Sequence, residues 1–296
     1  MGCWLKSKMK NMTSMFRNSK SLTYVDEYIV GNNVTSLPST FYECRSLVNA
    51  PVIPDSVTNM YQTFRGCSNL VNAPVIPNSV TNMSYTFSYC INLVNVPNIG
   101  NSVTDMSDTF YSCTNLVNAP VIPNSVTSMY CTFMFCNSLV NAPAVIPNSV
   151  TSMHSTFSNC KSLVNAPVIS DSVTSLPSTF YECRSLVNAP VIPNSVTSLS
   201  QTFRSCTSLI NAPIIPDSVT DMTGTFYSCT NLTGDVYIYS NEIANATRCF
   251  HGTSLPKTVH IYEYYENGEH TKTYNSFNTA GYLGGINGVT VEFMNE

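Results

Sequence analysis

The chain has 296 residues, only 10% of them charged, and a formal net charge of -4. No global positive field draws it to nucleic acid, and no run approaches the ~18 apolar residues that a membrane span needs. Length alone would suggest one or two domains, but a strict internal period overrides that prior.

The opening MGCWLKSKMK lacks the apolar core of a secretory signal, and Lys6 stands where a myristoylation pattern after Gly2 wants Ser or Thr. Residues 1–8 read as a basic N-terminal segment. Lys6, Lys8, Lys10, Arg17 and Lys20 fall within the first twenty residues with no acid among them. A solvated terminus is the ordinary reading of such a run; contact with phosphate or an acidic partner is the other.

Residues 9–255 repeat. Cysteines at 44, 67, 90, 113, 136, 160, 183, 206 and 229 are 23 residues apart, except for one step of 24 caused by Ala144. Phe lies three residues before each and Leu three after. Degenerate copies flank this array, with Phe16, Ser19 and Leu22 at one end and Phe250, Thr253 and Leu255 at the other, giving eleven coils. Residues Val34 to Pro54 and Val173 to Pro193 are identical over 21 positions. Duplication in blocks suits an array of variable length and suits a single-centre active site poorly.

Within one coil, Val57, Met60, Phe64, Cys67 and Leu70 are spaced 3, 4, 3, 3, which predicts a short helix or helical turn with one apolar face. Gln62, Arg65 and Asn69 fall opposite, and the preceding PDS or PNS offers caps. The other half, LVNAPVIP, is β-branched and bounded by proline, so it predicts parallel strands of two to four residues rather than a wide sheet. One coil buries too little to offset its backbone entropy, so coils must stack with their apolar rims between them. Strands repeat at about 4.8 Å and helices at about 8–10 Å; the mismatch predicts a curved stack, concave on the strand side. Ala144 is expected as a bulge at a coil corner.

Residues 256–296 leave this register. VHIYEYY, ENGEH, TKTYNSF and NGVTVEF read as strands and turns, and NTAGYLGG as a short helix. This is expected to be a β-rich C-terminal cap, because one face of a terminal coil must meet water. The other end begins inside a coil without a comparable cap, so self-association through that coil is expected, or continuation of a larger assembly.

Twelve cysteines invite disulfides or metal. The nine repeat cysteines occur once per coil on the apolar stripe, however, with no CxxC pair and no histidine in frame, whereas metal sites need clustered ligands. Ser19 and Thr253 replace them in the outer coils. Buried free thiols are expected, with an oxidised or metal-bound form as the alternative. Cys131 occupies the Gln62 position, off the stripe, and is expected to be exposed; Cys3 precedes the first coil. Either is a bland surface thiol or a reactive one. His154, His251, His260 and His270 are scattered, no catalytic constellation has the right spacing, and YLGGING is too short for a phosphate loop. Five sequons, at Asn11, Asn33, Asn82, Asn231 and Asn245, are ordinary in a chain so rich in Asn, Ser and Thr. No catalytic, cofactor-binding or metal residue is assigned.

LVNAPVIP hardly varies between coils, while the outward positions of the other half change freely. One outward row runs Tyr42, Arg65, Ser88, Tyr111, Met134, Ser158, Tyr181, Arg204, Tyr227; a neighbouring row includes Tyr61, Tyr130 and His154. Tyr and Arg are common interface anchors, so Tyr42, Tyr61, Arg65, Tyr111, Tyr130, His154, Tyr181, Arg204 and Tyr227 are the candidate partner-binding residues. An unconstrained solvent face is the alternative. The asparagine at the same place in each coil, Asn49 to Asn211, is expected to form a structural side-chain ladder.

The units resemble leucine-rich repeats of the BspA-like type, through IPNSVTSM and TFxxCxxL. They are also similar to the bacterial surface 26-residue repeat, through SVTNMSYTFSYCINL at Ser79 to Leu93. The likeness covers about residues 9–262; the pitch departs from the second family, and proline interrupts the strand. It implies an α/β solenoid, a leucine-rich-repeat-like curved stack of about eleven coils with the β-rich cap. The closing TYNSFNTAGY and NGVTVEF are similar to tails of such proteins in gut bacteria and their phages. The resemblance further implies a non-enzymatic scaffold at a cell surface or on a virion, extracellular, with a protein or glycan ligand and an adhesion-type role. The alternative is a structural subunit that assembles end to end into a fibre or decorates a particle.

Overall fold

The computed structural model describes residues 9–240, 242–254, 258–262 and 290–294, the last as backbone. Two units stand out, Met1–Ser149 and Val150–Glu296. The basic segment, Cys3, His270, ENGEH, TKTYNSF and NTAGYLGG lie outside the described residues.

Each unit is a stack of coils held by two rows of parallel backbone bridges. One row links Asn11, Ser36, Asn59, Asn82, Asp105 and Ser128 in the first unit, and Ser152, Ser175, Ser198, Asp221 and Asn245 in the second. The other row lies at the repeated asparagine: Asn49 to Asn72 to Asn95, Asn118 to Asn141, and Asn165 to Asn188 to Asn211. The LVNAPVIP half therefore pairs mainly through single residues rather than strands of two to four, because its prolines remove donors on both sides. Asn95 Nδ2 donates to Asn72 Oδ1 at 2.8 Å and Asn141 Nδ2 to Asn118 Oδ1 at 2.6 Å, so the expected asparagine ladder forms there.

The other half is a run of turns; among the described residues no segment is helical. Two residues per coil, four apart, have positive φ, as at Gln62 (54°) and Gly66 (76°), or Tyr85 (57°) and Tyr89 (60°). A left-handed residue breaks an α-helix. The hydrogen bonds alternate accordingly. Amides of Met60, Gln62, Phe64 and Gly66 donate to the next coil, at Asn82, Ser84, Thr86 and Ser88, over 2.7 to 3.1 Å. The intervening amides of Thr63, Arg65 and Cys67 close turns to the residue three before. The 3, 4, 3, 3 spacing thus encodes consecutive three-residue turns. The capping expectation also shifts. Asn59 Oδ1 accepts from the Tyr61 amide at 2.9 Å and opens the turn run, while Ser56 Oγ donates to Val34 of the preceding coil.

The expected stripe is buried: Val57, Met60, Phe64, Cys67 and Leu70 are fully inaccessible, as are Met106 and Phe110. Phenylalanine rings stack from Phe16 to Phe133 in the first unit and from Phe157 to Phe250 in the second. Their centroids lie 5.3 to 5.8 Å apart, with interplanar angles of 10° or less. Beside them, Thr63 Oγ1 sits 2.8 Å from Met60 O and 2.9 Å from Leu37 O, shared between its own coil and the one before. Cys67 donates its thiol to Phe41 O at 3.0 Å, and the same bond recurs at Cys44, Cys90, Cys113, Cys136, Cys183, Cys206 and Cys229.

Ala144 is exposed, at a bend between Pro143 and Val145, and Ile146 and Val150 beyond it are buried in frame. The serine-to-carbonyl bond that elsewhere spans 22 residues, as from Ser125 to Val103, spans 23 from Ser149 to Val126. The extra residue is absorbed at the corner before Ser149, as expected.

In the second unit β1 (Val236–Ile238), β2 (Thr258–Tyr262) and β3 (Thr290–Met294) form a parallel sheet in that order. Strand β1 bridges back to Ile215, so the sheet widens a row that is narrow elsewhere. Tyr237 stacks on His260 at 4.5 Å and Tyr239 on Tyr262 at 4.0 Å across the β1–β2 pair.

Candidate functional site

The residue after each ladder phenylalanine closes a turn with its own amide, and its carbonyl accepts from the coil before, as Arg65 O does from Glu43. The long side chains there, such as Tyr42, Arg65, Tyr111, Tyr181, Arg204 and Tyr227, reach the surface. Ser88 and Ser158, expected outward, are buried, because a side chain this short stays beneath its neighbours, and Ser88 Oγ bonds Asp108 O. In the first unit Arg17 lies over Tyr42 at 4.6 Å, and Arg65 lies 5.8, 5.4 and 5.6 Å from the rings of Tyr42, Tyr85 and Tyr89. Tyr61 meets Tyr85 edge-on at 6.0 Å, and Tyr111 packs between Tyr89 and Phe135. In the second unit Arg204 lies between Tyr181 at 5.6 Å and Tyr227 at 4.3 Å, and Tyr227 stacks on His251. Tyr130 is exposed beside Cys131 in the first unit, and His154 is exposed in the second.

Tyr42, Glu43, Arg45, Arg65, Gly66 and Tyr89 surround a hollow of about 450 Å³. Arg45 Nε holds Glu43 Oε2 at 2.6 Å while 57% of the Arg45 side chain meets solvent. Gly66 makes room for this carboxylate: a Cβ there would come within 2.7 Å of Glu43 Oε1. The same constellation occurs again. Tyr181 and Glu182 sit beside Arg184, whose Nη2 is 2.9 Å from Glu182 Oε2, and Arg204 takes the place of Arg65. Ser205 replaces Gly66, and Tyr227 replaces Ser88. Each copy offers aromatic ring faces next to a carboxylate acceptor and two guanidinium donors.

Asp108 is buried below this surface. Burial raises its carboxyl above the usual range, opposed by a hydrogen bond from Tyr85 and by the Arg65 charge. Tyr85 and Tyr111 are likewise raised, first by burial. Glu43, Arg45, Tyr85 and Tyr89 were not singled out from the sequence. Their signal is the repeated Tyr-Glu-Cys-Arg of the duplicated block and, for the tyrosines, the two left-handed positions, which lie off the apolar stripe. Cys131, expected at the surface, is instead buried, only 6% exposed, beside Tyr111 and Tyr130. The position leaves the longer Gln62 and Tyr85 partly exposed but covers short side chains such as Ser39 and Ser155. Among the described residues no three His, Cys, Asp or Glu side chains gather as a metal site, and no helix is long and apolar enough to cross a membrane.

The family model described as BspA type leucine rich repeat region matches residues 11–117, 35–164 and 154–269, most of the chain. The chain belongs to the BspA-type leucine-rich repeat family. Among solved structures, a leucine-rich repeat protein from Bacteroides ovatus is 26% identical with a TM-score of 0.64, over 89% of this chain and 67% of that one. A leucine rich cell surface protein from Faecalibacterium prausnitzii is 22% identical with a TM-score of 0.54, over 92% of this chain and 80% of that one. The second likeness concerns the fold alone. No curated protein matches the chain.

Proposed function

We propose that this chain is a non-enzymatic scaffold of eleven coils that recognises a protein or glycan ligand through its aromatic and arginine row, at a cell surface. The observation that carries the reading is the duplication: Tyr42, Glu43, Arg45 and Arg65 in one unit recur as Tyr181, Glu182, Arg184 and Arg204 in the other. In a chain with 10% charged residues, two matching clusters of the same polar and aromatic groups stand out. Tyrosine and arginine give large contact area and directed donors at small entropic cost. The surface location draws support from the Faecalibacterium protein, named a cell surface protein.

Immobilised glycans and host extracellular proteins provide the test. Replacing Tyr42 and Arg65 by Ala removes one set of contacts, and replacing Tyr181 and Arg204 removes the other. Each pair is expected to lower the ligand stoichiometry by half, and all four substitutions to abolish binding. A quadruple variant that binds like the parent overturns the assignment.

A further inference from the structure

The half of the coil that varies least carries the most exposed apolar side chains. In the first unit the position before the buried isoleucine holds Val52, Val75, Asn98, Val121 and Val145. Val75 is 69% and Val121 77% exposed. The valine after each leucine, from Val48 to Val140, is about two-fifths exposed. No LVNAPVIP segment contains a charged residue. The second unit has its own row of the same kind, with Val191 at 87%.

Strand preference does not account for these valines. The exposed positions of the other bridge row are filled by threonine, from Thr35 to Thr220, whose β-propensity is similar. There each hydroxyl reaches the carbonyl of the threonine one coil back, as Thr81 does to Thr58 at 3.2 Å. The chain thus uses a polar β-former where a row faces water alone. Asn98 further shows that the fold accepts a polar side chain within the valine row.

We infer that this face of the first unit is the interface of a two-fold homodimer. Three observations choose a second copy as the occupant. First, the nine exposed valines leave on the order of 500 Å² of apolar surface. At the ~65% apolar share of homodimer interfaces, this corresponds to about 800 Å² per partner, the size of a stable complex. Second, the face is self-complementary. Gly100 stands where the other coils mostly carry proline, and its backbone lies so close to Pro77 that a Cβ could not be placed. With Asn98 beside it, this coil forms a hollow of about 560 Å³, flanked by Val75 and Val121. Val121 also borders a second hollow of about 320 Å³, with Ala144 and Val145 on its far side. A projecting side chain next to a recess is what a two-fold axis needs to seat each Val121 in the other copy's hollow. Third, four of the asparagines between the valine rows pair with one another, Asn95 with Asn72 and Asn141 with Asn118, so drying the face leaves these side chains a partner. The valine segments themselves carry no charge; Asp55, exposed in the lining of the first hollow, is the carboxylate that the second copy must leave in solvent.

Sedimentation equilibrium of the full chain tests the inference. The parent is expected at twice its 32.5 kDa monomer mass. The double variant V75N/V121N, which puts the side chain of Asn98 at two more places in its row, is expected at the monomer mass with the parental circular dichroism spectrum and a still cooperative melt, lowered by the loss of the partner. Should that variant lose its fold, V121T keeps the shape and is expected to weaken the dimer about ten-fold, since each subunit loses an apolar contact. A parent that remains monomeric across the micromolar range overturns the inference. So does a folded V75N/V121N that stays dimeric.

Discussion

Cys67 shows how one residue serves the stack. Its thiol donates to Phe41 O of the preceding coil, its backbone closes a turn on Phe64, and water does not reach it. Burial raises the thiols above their ordinary 9.0, to about 11 at Cys44 and about 12 at Cys229, and further up at Cys67, Cys90, Cys113, Cys136, Cys183, Cys206 and Cys249. A folded-state value above the unfolded one stabilises the protein below pH 9 and loses that contribution as pH climbs toward the folded value. For nine thiols the loss is on the order of 10 kcal/mol for each pH unit above about 9. Circular dichroism should therefore show unfolding before about pH 11; a chain still folded well above that contradicts burial of the thiols. Phe110→Ala should cost about 3–5 kcal/mol in a urea titration, since its ring is inaccessible and stacked on both sides. The sequence disclosed both positions, because a residue recurring every coil on an apolar stripe must be inside. It did not disclose the thiol bond, nor the burial of Cys131, because both depend on which groups of the adjacent coil stand alongside.

The left-handed turns are the chief departure of the element from its expected form. Spacings of three and four are common to a helix and to a succession of turns, and nothing in Val57 to Leu70 separates the two except what stands at the left-handed positions. Those positions hold Ser, Asn, Gln, Glu, Tyr, Asp and Gly among others, so the backbone is forced by the next coil rather than chosen by residue type. Each such residue other than glycine costs about 1–2 kcal/mol, offset by an amide donated across the coils, as Ser112 donates to Met134 at 2.8 Å. Ser112→Gly should accordingly raise stability by up to about 1 kcal/mol, and Ser112→Val should lower it by more, because a β-branched side chain tolerates φ of 58° poorly. Equal melting temperatures for the two variants would count against the left-handed assignment. The proline-bounded half was legible in part: its asparagines announced their ladder, but its prolines restrict pairing to single bridges where short strands were expected.

At the scale of the molecule, the period alone disclosed a stack, since no single coil can bury its own rim. The family match over residues 11–269 agrees with that reading. What the period concealed is the surface proposed to carry function. The Tyr, Glu and Arg clusters depend on side chains one coil apart, and the valine face lies in the half that repetition makes look merely structural. Stability in such a stack is a sum of coil and neighbour terms. Phe64→Ala should thus hasten hydrogen exchange over residues 34–93 and leave residues 173–229 near the parental rate. The most direct test of inter-coil hydrogen bonding is the scalar coupling that NMR detects across individual hydrogen bonds. The stack predicts couplings from the amides of Met60, Gln62, Phe64 and Gly66 to the carbonyls of Asn82, Ser84, Thr86 and Ser88. Coupling of Phe64 to Met60 instead, the pattern of a helix, would contradict it.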